Sequence, residues 1–259
     1  MRLTTLGDLI LDVIVSAHEP LVTGDDRAAA IRTGAGGQAA NVAAWAASLG
    51  AQARLVCRRG ADPAGGLVAT ELRGAGVDVV GPVSGRNGVV VSLSVGGDRT
   101  MASDRGAATG LAVTDLDDAW FDCDVLHVSG YSLLGGSIAD AALHASRTAR
   151  TRGATVSVDV STFTLADDDF RSRVRELGPD LVFASERERD ALGSLDARLV
   201  LKRGADGIVV DGTAHPARPT TVVDATGAGD ALAAGFLVGG PELGLEAAAR
   251  CCAKLGALP

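Results

Sequence analysis

A glycine-rich loop that ends in an aspartate has the clearest chemical meaning in this sequence. Residues 224–230 read DATGAGD, and a strongly helical stretch follows. Gly227, Ala228 and Gly229 leave consecutive backbone N–H groups unhindered at the positive end of the helix, which predicts an anion site. Asp230 would repel a permanent phosphate neighbour, but it makes sense if a hydroxyl lies between the two. The loop therefore favours phosphoryl transfer, with Asp230 as general base; a plain complement to the helix dipole is the alternative.

A second glycine-rich stretch, GAGGQAANVAAWAASLG at residues 34–50, fits the GxGxxA dinucleotide fingerprint. Its position argues against that interpretation, because the fingerprint should follow the first core strand, and here a β excursion intervenes. An NADP-dependent reductase is kept as a remote alternative. The glycines and Asn41 could also serve only a tight turn, but their clustering favours close approach of the backbone to a polar ligand.

The two stretches together resemble the paired signatures of the ribokinase-like (PfkB) carbohydrate kinase family, and the similarity covers nearly the whole chain. The resemblance implies an ATP- and Mg²⁺-dependent kinase that phosphorylates a primary hydroxyl of a small sugar. A nucleoside kinase of the same family is the alternative, a sugar-phosphate kinase comes next, and a non-catalytic sugar-binding relative is disfavoured. A monovalent cation such as K⁺ is a further cofactor that the resemblance suggests.

The resemblance also implies roles for individual residues. Asp230 corresponds to the catalytic base and 227–229 to the anion hole. The acceptor side would comprise the aspartate ending the first strand, the GG…N motif and the residue within it, which are Asp12, Gly36, Gly37, Gln38 and Asn41. Gln38 stands where ribokinases often carry lysine, which makes it the first place to look for specificity.

The nucleotide side is implied less cleanly. Glu188 matches the family's NxxE glutamate, which organises Mg²⁺ through water, but Ser185 replaces the asparagine. The same four residues, SERE, also fit a helix capping box, and both interpretations hold together. The remaining residues expected around the nucleotide are Asp224, Thr226, Lys202 and Gly204. We assign no catalytic role to Arg105, which is similar to an arginine after the family's lid.

These residues must be positioned by alternating strands and helices. Apolar runs at 3–11, 53–57, 125–129, 155–160, 180–184 and 198–202 predict strands of a parallel sheet, and 39–50 and 63–75 predict helices. A short β run is also expected at 220–223. The fold class is therefore α/β, a ribokinase-like three-layer α/β/α sandwich with a mostly parallel central sheet. Segments 13–33 and 86–103, with turns at Gly24 and at 96–98, predict a small β lid on one kinase domain spanning 1–259.

Composition limits the partners and the location. The net charge of −8 argues against a nucleic-acid surface. Asp8 and Asp12 interrupt the N-terminal apolar run, so neither a signal peptide nor a membrane span is expected. Four cysteines without metal-ligand spacing indicate reduced thiols and a cytoplasmic protein. The expected partner is a sugar or nucleoside, with a homodimer formed through the lid.

Overall fold

A mostly parallel sheet runs through the centre of the computed structural model, which describes residues 1–17, 19–20, 22–95, 98–162 and 164–259. In chain order the strands and α-helices are β1 Arg2–Leu6, β2 Ile10–Ala17, β3 Ala30–Gly36, α1 Gln38–Ser48, β4 Gln52–Val56, α2 Pro63–Gly74, β5 Asp78–Val80, β6 Gly88–Val95, β7 Asp98–Asp104, β8 Val125–Ser129, α3 Ser137–Thr151, β9 Thr155–Asp159, α4 Asp168–Leu177, β10 Leu181–Ser185, α5 Glu186–Leu192, β11 Arg198–Lys202, β12 Ile208–Val210, β13 Thr213–His215, α6 Ala228–Gly239 and α7 Pro241–Cys252.

The central sheet has the strand order β13-β12-β11-β10-β9-β8-β1-β4-β5, and only β12 and β13 run antiparallel to their neighbours. Helices α1, α2, α6 and α7 pack on one face, and α3, α4 and α5 pack on the other. The inner strands are therefore covered on both sides, which explains their apolar runs, whereas the edge strand β13 is largely exposed. The predicted three-layer α/β/α fold is confirmed.

Small side chains let the helices approach each other closely. The buried positions of α1 include five alanines, and α6 and α7 meet at glycines. A Cβ atom on Gly235 would lie 2.5 Å from the main-chain oxygen of Leu243, and one on Gly244 would lie 2.8 Å from that of Leu232. A chain with few aromatic residues can therefore still build a dense core.

A second sheet, here called the lid sheet, has the order β3-β2-β6-β7. Strands β2 and β6 are parallel, whereas the β2–β3 and β6–β7 pairs are antiparallel. The predicted hairpin is thus present in β6–β7. The turn at Gly24 is also present, with a φ of +82°. Gly96 and Gly97, where the second turn was expected, lie outside the described residues.

Two expected strands are wrong. The run 3–11 is not one strand, because β1 ends at Leu6 and β2 begins at Ile10 in the other sheet. The chain leaves the central sheet at Gly7, where a Cβ would meet those of Ala39 at 2.8 Å and Ser129 at 2.9 Å. Asp12 therefore lies in the lid sheet and does not end the first core strand. Residues 220–223 form no strand; the Val223 N–H donates to the main-chain oxygen of Cys252 in α7 instead.

Candidate active site

The polar residues of the candidate site lie where parallel strands and two helices meet. Strands β9, β10 and β11 end on Asp159, Ser185 and Lys202, so these three side chains share the carboxyl edge of the central sheet. Helices α1 and α6 begin at the same edge. Open α/β sheets bind their ligands in this place.

Helix α6 begins in the geometry that an anion requires. Its N-cap is Gly227, with a φ of +78° and no side-chain cap. A Cβ on Gly227 would lie 2.5 Å from the Cβ of Ala257, so only glycine fits. Asp224 braces the loop, because it accepts hydrogen bonds from the N–H and hydroxyl of Thr226 and from the N–H of Gly256. Within this loop the Ala228 N–H donates to the main-chain oxygen of Ala225 at 3.2 Å, so the expectation of three consecutive unhindered N–H groups at 227–229 is wrong for Ala228.

Helix α1 begins in a similar way but in other surroundings. Its N-cap, Gly37, has a φ of +102°, and a Cβ there would lie 2.4 Å from the main-chain oxygen of Asp8. The carboxylate of Asp12 lies against Gly36, where a Cβ would come within 2.1 Å of it. The structure thus brings Asp12 and the paired glycines together, as the sequence predicted, although Asp12 arrives from the lid sheet.

A hydrogen bond joins the two glycine-rich motifs. Nδ2 of Asn41 in α1 donates to Oδ2 of Asp230 in α6 over 2.7 Å. Burial raises the pKa of Asp230 to about 7, an effect that the Asn41 hydrogen bond reduces and the charge of Asp159 increases. The carboxylate is therefore able to exchange a proton near neutral pH, which suits a general base.

Lys202 supplies a positive charge beside the α6 loop. Its Nζ donates to both carboxylate oxygens of Asp159 at 2.8 Å and lies 3.5 Å from Oε2 of Glu188. A Cβ on Gly229 would lie 3.8 Å from the same Nζ. Burial would lower the pKa of Lys202, but Asp159 and Glu188 outweigh it and raise the pKa. The ammonium group therefore stays charged next to the α6 loop.

Ser185 and Glu188 form the expected capping box. Oε2 of Glu188 accepts from the Ser185 N–H at 2.7 Å, and the Glu188 N–H donates to the Ser185 hydroxyl at 3.3 Å. The same Glu188 oxygen faces Lys202, so the capping interaction and a place at the site coexist. The described residues contain no cluster of three or more His, Cys, Asp or Glu side chains that could hold a metal ion.

A cavity of about 530 Å³ opens beside the start of α6. Lys202, Gly204 and Gly229 belong to its lining. The other walls are mainly apolar and come from β12, α6, α7 and the segment before the loop, including Ile208, Pro219, Val222, Leu232, Leu245 and Cys252. A flat apolar ring with phosphates directed at Lys202 would fit this shape.

The structure shows side-chain contacts around the start of α1, and a buried acid at the end of β9, that were not predicted from the sequence. Arg105, directly after β7, donates to both carboxylate oxygens of Asp8 at 2.6 Å and so ties the lid sheet to the end of β1. Oε1 of Gln38 accepts hydrogen bonds from the hydroxyls of Ser129 and Ser161. Asp159 was hidden inside a predicted strand. Its signal was its position as the terminal acid of a buried parallel strand, an edge where ligands bind.

The strand before the α1 glycines bears on the dinucleotide alternative. β3 pairs antiparallel with β2 in the lid sheet and has no place in the central sheet. A dinucleotide fingerprint requires a central parallel strand directly before its glycines. The geometry therefore disfavours the reductase interpretation.

No helix in the part of the chain that the structure describes is both long enough and apolar enough to cross a bilayer.

Comparisons with known proteins agree on one family. The profile of the pfkB family carbohydrate kinases matches residues 2–258. An ATP-dependent ribose-1-phosphate kinase from Halopiger xanaduensis is 31% identical over 276 residues, covering 97% of this chain and 90% of the relative. A fructoselysine 6-kinase from Escherichia coli K12 is 27% identical over 259 residues, covering 92% and 88%. The crystal structure of adenosine kinase from Sinorhizobium meliloti superposes with a TM-score of 0.87 at 25% identity, covering 100% and 95%.

Proposed function

Because the chain belongs to the PfkB family of carbohydrate kinases, we propose that it transfers the γ-phosphoryl group of ATP to a primary hydroxyl of a small sugar. The observation that carries the proposal is the Asn41–Asp230 hydrogen bond. It supports the proposal because it joins Asp230, which follows the α6 loop proposed to bind the transferred phosphoryl group, to α1, whose glycines are proposed to bind the acceptor.

On the acceptor side, the carboxylate of Asp12 and the backbone at Gly36 and Gly37 hold the sugar hydroxyls, with Asn41 beside them. Asp230 takes the proton of the attacking hydroxyl as its oxygen approaches the γ-phosphorus in line. Its pKa of about 7 allows it to be ionised at neutral pH while remaining basic enough to accept a proton.

On the donor side, the N–H groups of Gly227 and Gly229 stabilise the charge that develops on the transferred group. Lys202 provides a fixed cation at the same place, and the apolar cavity takes the adenine ring. Mg²⁺ commonly binds through one or two carboxylates and the substrate phosphates, and Glu188 and Asp159 supply carboxylates at this end of the site. When bound with ATP, the ion neutralises phosphate charge. K⁺ activation stays a prediction, which a K⁺ titration of the activity tests.

An acceptor panel tests the proposal. ADP release should be stimulated by at least one pentose, hexose or nucleoside in the presence of ATP and Mg²⁺, and not by NADPH. Asp230→Asn serves as the control for contaminating kinases. A lack of stimulation by every acceptor, together with a change in NADPH fluorescence on mixing, would favour the reductase and sink the proposal. Stimulation by nucleosides alone would select the nucleoside kinase, which the likeness to an adenosine kinase keeps as the second candidate.

The outer face of the lid sheet supports a homodimer. Val91 faces outward and is exposed, whereas its neighbours Val90 and Ser92 are buried. The strand register places Val13 beside Val91, and the next row on the same face contains Val15 and Ile31. Ile31 is 62% exposed. We propose that this apolar face pairs with a second copy. Ile31→Asp should then shift the sedimentation coefficient to that of a monomer, and an unchanged value would exclude this interface.

The remaining expectations concern the cell. We propose a cytoplasmic location, where ATP is available and where Cys57, Cys123, Cys251 and Cys252, free in the structure, stay reduced. Fractionation of the source cells tests this, and recovery outside the cytoplasmic fraction would contradict it.

A further inference from the structure

Trp45 belongs to α1, on the proposed acceptor side of the site, and its indole N–H holds a segment of backbone that packs against the α6 loop. We infer that Trp45 is a positioning residue for phosphoryl transfer, because the segment it holds keeps the N–H groups of Gly227 and Gly229 in place. Trp45 is only 1% exposed, too deeply buried to touch either substrate, so it acts through that segment alone. The inference rests on the proposed function and adds to it a residue that orders the loop.

The first link is the hydrogen bond from Trp45. Its Nε1 donates to the main-chain oxygen of Ala257 over 2.7 Å in the interior of the protein. The guanidinium carbon of Arg250 and the Nζ of Lys254 each lie 5.4 Å from the centroid of the Trp45 ring. Cations at this distance attract the face of an indole ring. The ring, and with it the direction of its N–H, is therefore fixed.

The second link is the contact between Ala257 and the N-cap of α6. A Cβ on Gly227 would lie 2.5 Å from the Cβ of Ala257 and 2.8 Å from its Cα, so the two residues touch directly. Gly227 opens the helical turn that carries Gly229 and Asp230. Movement of Ala257 away from this contact would therefore release the residue that sets the position of the loop N–H groups.

The segment that contains Ala257 depends on such contacts. Residues 253–259 form no helix or strand, so contacts with the rest of the protein must fix their backbone. The N–H of Gly256 donates to Oδ2 of Asp224 at 3.1 Å, and the same carboxylate also holds Thr226 within the loop. Gly256 and Ala257 therefore brace the loop at two adjacent points.

Trp45 is the stronger of two donors near the Ala257 oxygen. Sγ of Cys251 lies 3.8 Å from this oxygen but 3.2 Å from the main-chain oxygen of Thr226. A thiol has one hydrogen and is a weak donor, and the shorter distance directs that hydrogen to Thr226. The indole N–H of Trp45 is therefore the hydrogen-bond donor that holds Ala257 in place.

Helix α1 thus holds the start of α6 at two points. Asn41 binds Asp230 directly, and Trp45, four residues later on the same side of α1, holds Gly227 through Ala257. The base and the loop N–H groups must keep a fixed separation, because a hydroxyl and a phosphoryl group react between them. Two attachments to one helix fix that separation, whereas a single attachment would let the start of α6 rotate about it.

Replacement of Trp45 by benzothienylalanine tests the inference, because this analogue has sulfur in place of the indole N–H and keeps the shape of the ring. It is inserted by stop-codon suppression, and kinetics are measured well below the lowest melting temperature. Loss of this hydrogen bond should lower kcat about tenfold. The KM for the acceptor should change by roughly twofold at most, because Asp12 and the α1 glycines keep their contacts. A merely structural role would lower the melting temperature and leave kcat at the wild-type value.

Two controls separate position from stability. The same analogue at Trp120, the other tryptophan of the chain, changes a residue that packs on the opposite face of the sheet. Phe170→Leu weakens the core on that face and should lower the melting temperature. Both controls should keep the wild-type kcat. A loss of kcat in either control as large as that at Trp45 would overturn the inference.

A double-variant cycle tests the route through Ala257. Ala257→Gly removes the methyl group that meets Gly227 and keeps the oxygen that Trp45 binds, so it should also lower kcat. Combined with the analogue at Trp45, it should lower kcat no further than the larger single effect, because both changes break one route. Effects that multiply, or a wild-type kcat in the Trp45 analogue, would contradict the inference. A wild-type protein that phosphorylates no acceptor would instead overturn the proposed function.

Discussion

Helices α1 and α6 begin with the same backbone geometry in different electrostatic surroundings. Each has a glycine N-cap with positive φ and no side-chain cap, at the same edge of the sheet. The start of α1 is surrounded by oxygens, namely the main-chain oxygen of Asp8 and the carboxylate of Asp12. The start of α6 has the ammonium group of Lys202 beside Gly229.

This difference teaches that a glycine-opened helix does not define its own ligand. Unhindered N–H groups can meet any oxygen atom, whether it belongs to a phosphate or to a hydroxyl. Carboxylates nearby disfavour an anion and accept hydroxyl hydrogens, whereas a buried lysine favours an anion. Under the proposed function, the neighbours, which come from distant parts of the chain, therefore distinguish α1 as the acceptor side from α6 as the phosphoryl side.

The largest effect on kcat is expected at Asp230, whose hydrogen bond with Asn41 joins α6 to α1. Asp230→Asn removes the base and should lower kcat by about a thousandfold, within the range for general base catalysis. Asn41 can still donate to the new amide oxygen, so ATP binding measured by calorimetry should be largely retained. In the wild type, kcat/KM should fall about tenfold per pH unit below the pKa of about 7. Any residual activity of the variant should lack this dependence.

Asp230→Asn should also be more stable than the wild-type protein at high pH. The folded-state pKa of Asp230, about 7, lies above its ordinary value of 3.8, so the folded protein binds this proton more tightly than the unfolded chain. Wild-type stability therefore decreases as the pH rises from about 4 to about 7 through this group. Asp230→Asn should melt at a higher temperature than the wild type at pH 8, and the difference should vanish near pH 4. A lower melting temperature at pH 8 would contradict burial as the cause.

The third prediction concerns the ammonium group of Lys202, which lies beside the start of α6. Lys202→Met should lower kcat about a hundredfold, because a fixed charge facing the transferred group is lost. It should also destabilise the fold by about 3–5 kcal/mol, because Asp159, only 1% exposed, would keep an unpaired charge. The double variant Lys202→Met/Asp159→Asn should recover much of the stability in denaturant titrations but none of the activity. Recovery of both would mean that Lys202 acts only structurally.

A matched pair of glycine variants tests the α6 loop itself. Gly229→Ala should fold normally, because its Cβ would meet only the Lys202 Nζ at 3.8 Å and Gly229 has no positive φ. Its methyl group would stand where the phosphoryl group approaches, so kcat should fall roughly tenfold to a hundredfold. Gly227→Ala should instead lower the melting temperature, because of its φ of +78° and the clash with Ala257. Full activity of Gly229→Ala would show that the transferred phosphoryl group does not bind at the α6 loop.

The sequence predicted the parts of the site that are local in the chain. Apolar runs gave the parallel strands, and the spacing of small residues gave the starts of α1 and α6, because both patterns depend on neighbouring residues. The border between β1 and β2 was missed, since Leu9, Ile10 and Leu11 continue the apolar run across the point where the chain changes sheets.

The contacts that give each helix start its character could not be predicted from spacing. Lys202 reaches Gly229 only because β11 ends beside α6, and Asp159 joins them from β9. Lys202 is remote in sequence from the DATGAGD loop, and a separate strand, β11, brings its charge there. Such contacts depend on strand order, which no local pattern encodes.

The smallest effect on catalysis is expected at the ion pair between Arg105 and Asp8, near the start of α1. Arg105 binds Asp8 through two parallel hydrogen bonds, and the main-chain oxygen of Asp8 packs against Gly37. Arg105→Lys keeps the charge but loses the bidentate geometry. The acceptor KM should rise roughly threefold to tenfold, while kcat and the KM for ATP stay near wild-type values, because α6 and Lys202 are untouched. A rise in the KM for ATP of the same size would show that the two helix starts are not independent, and that the lid sheet controls both.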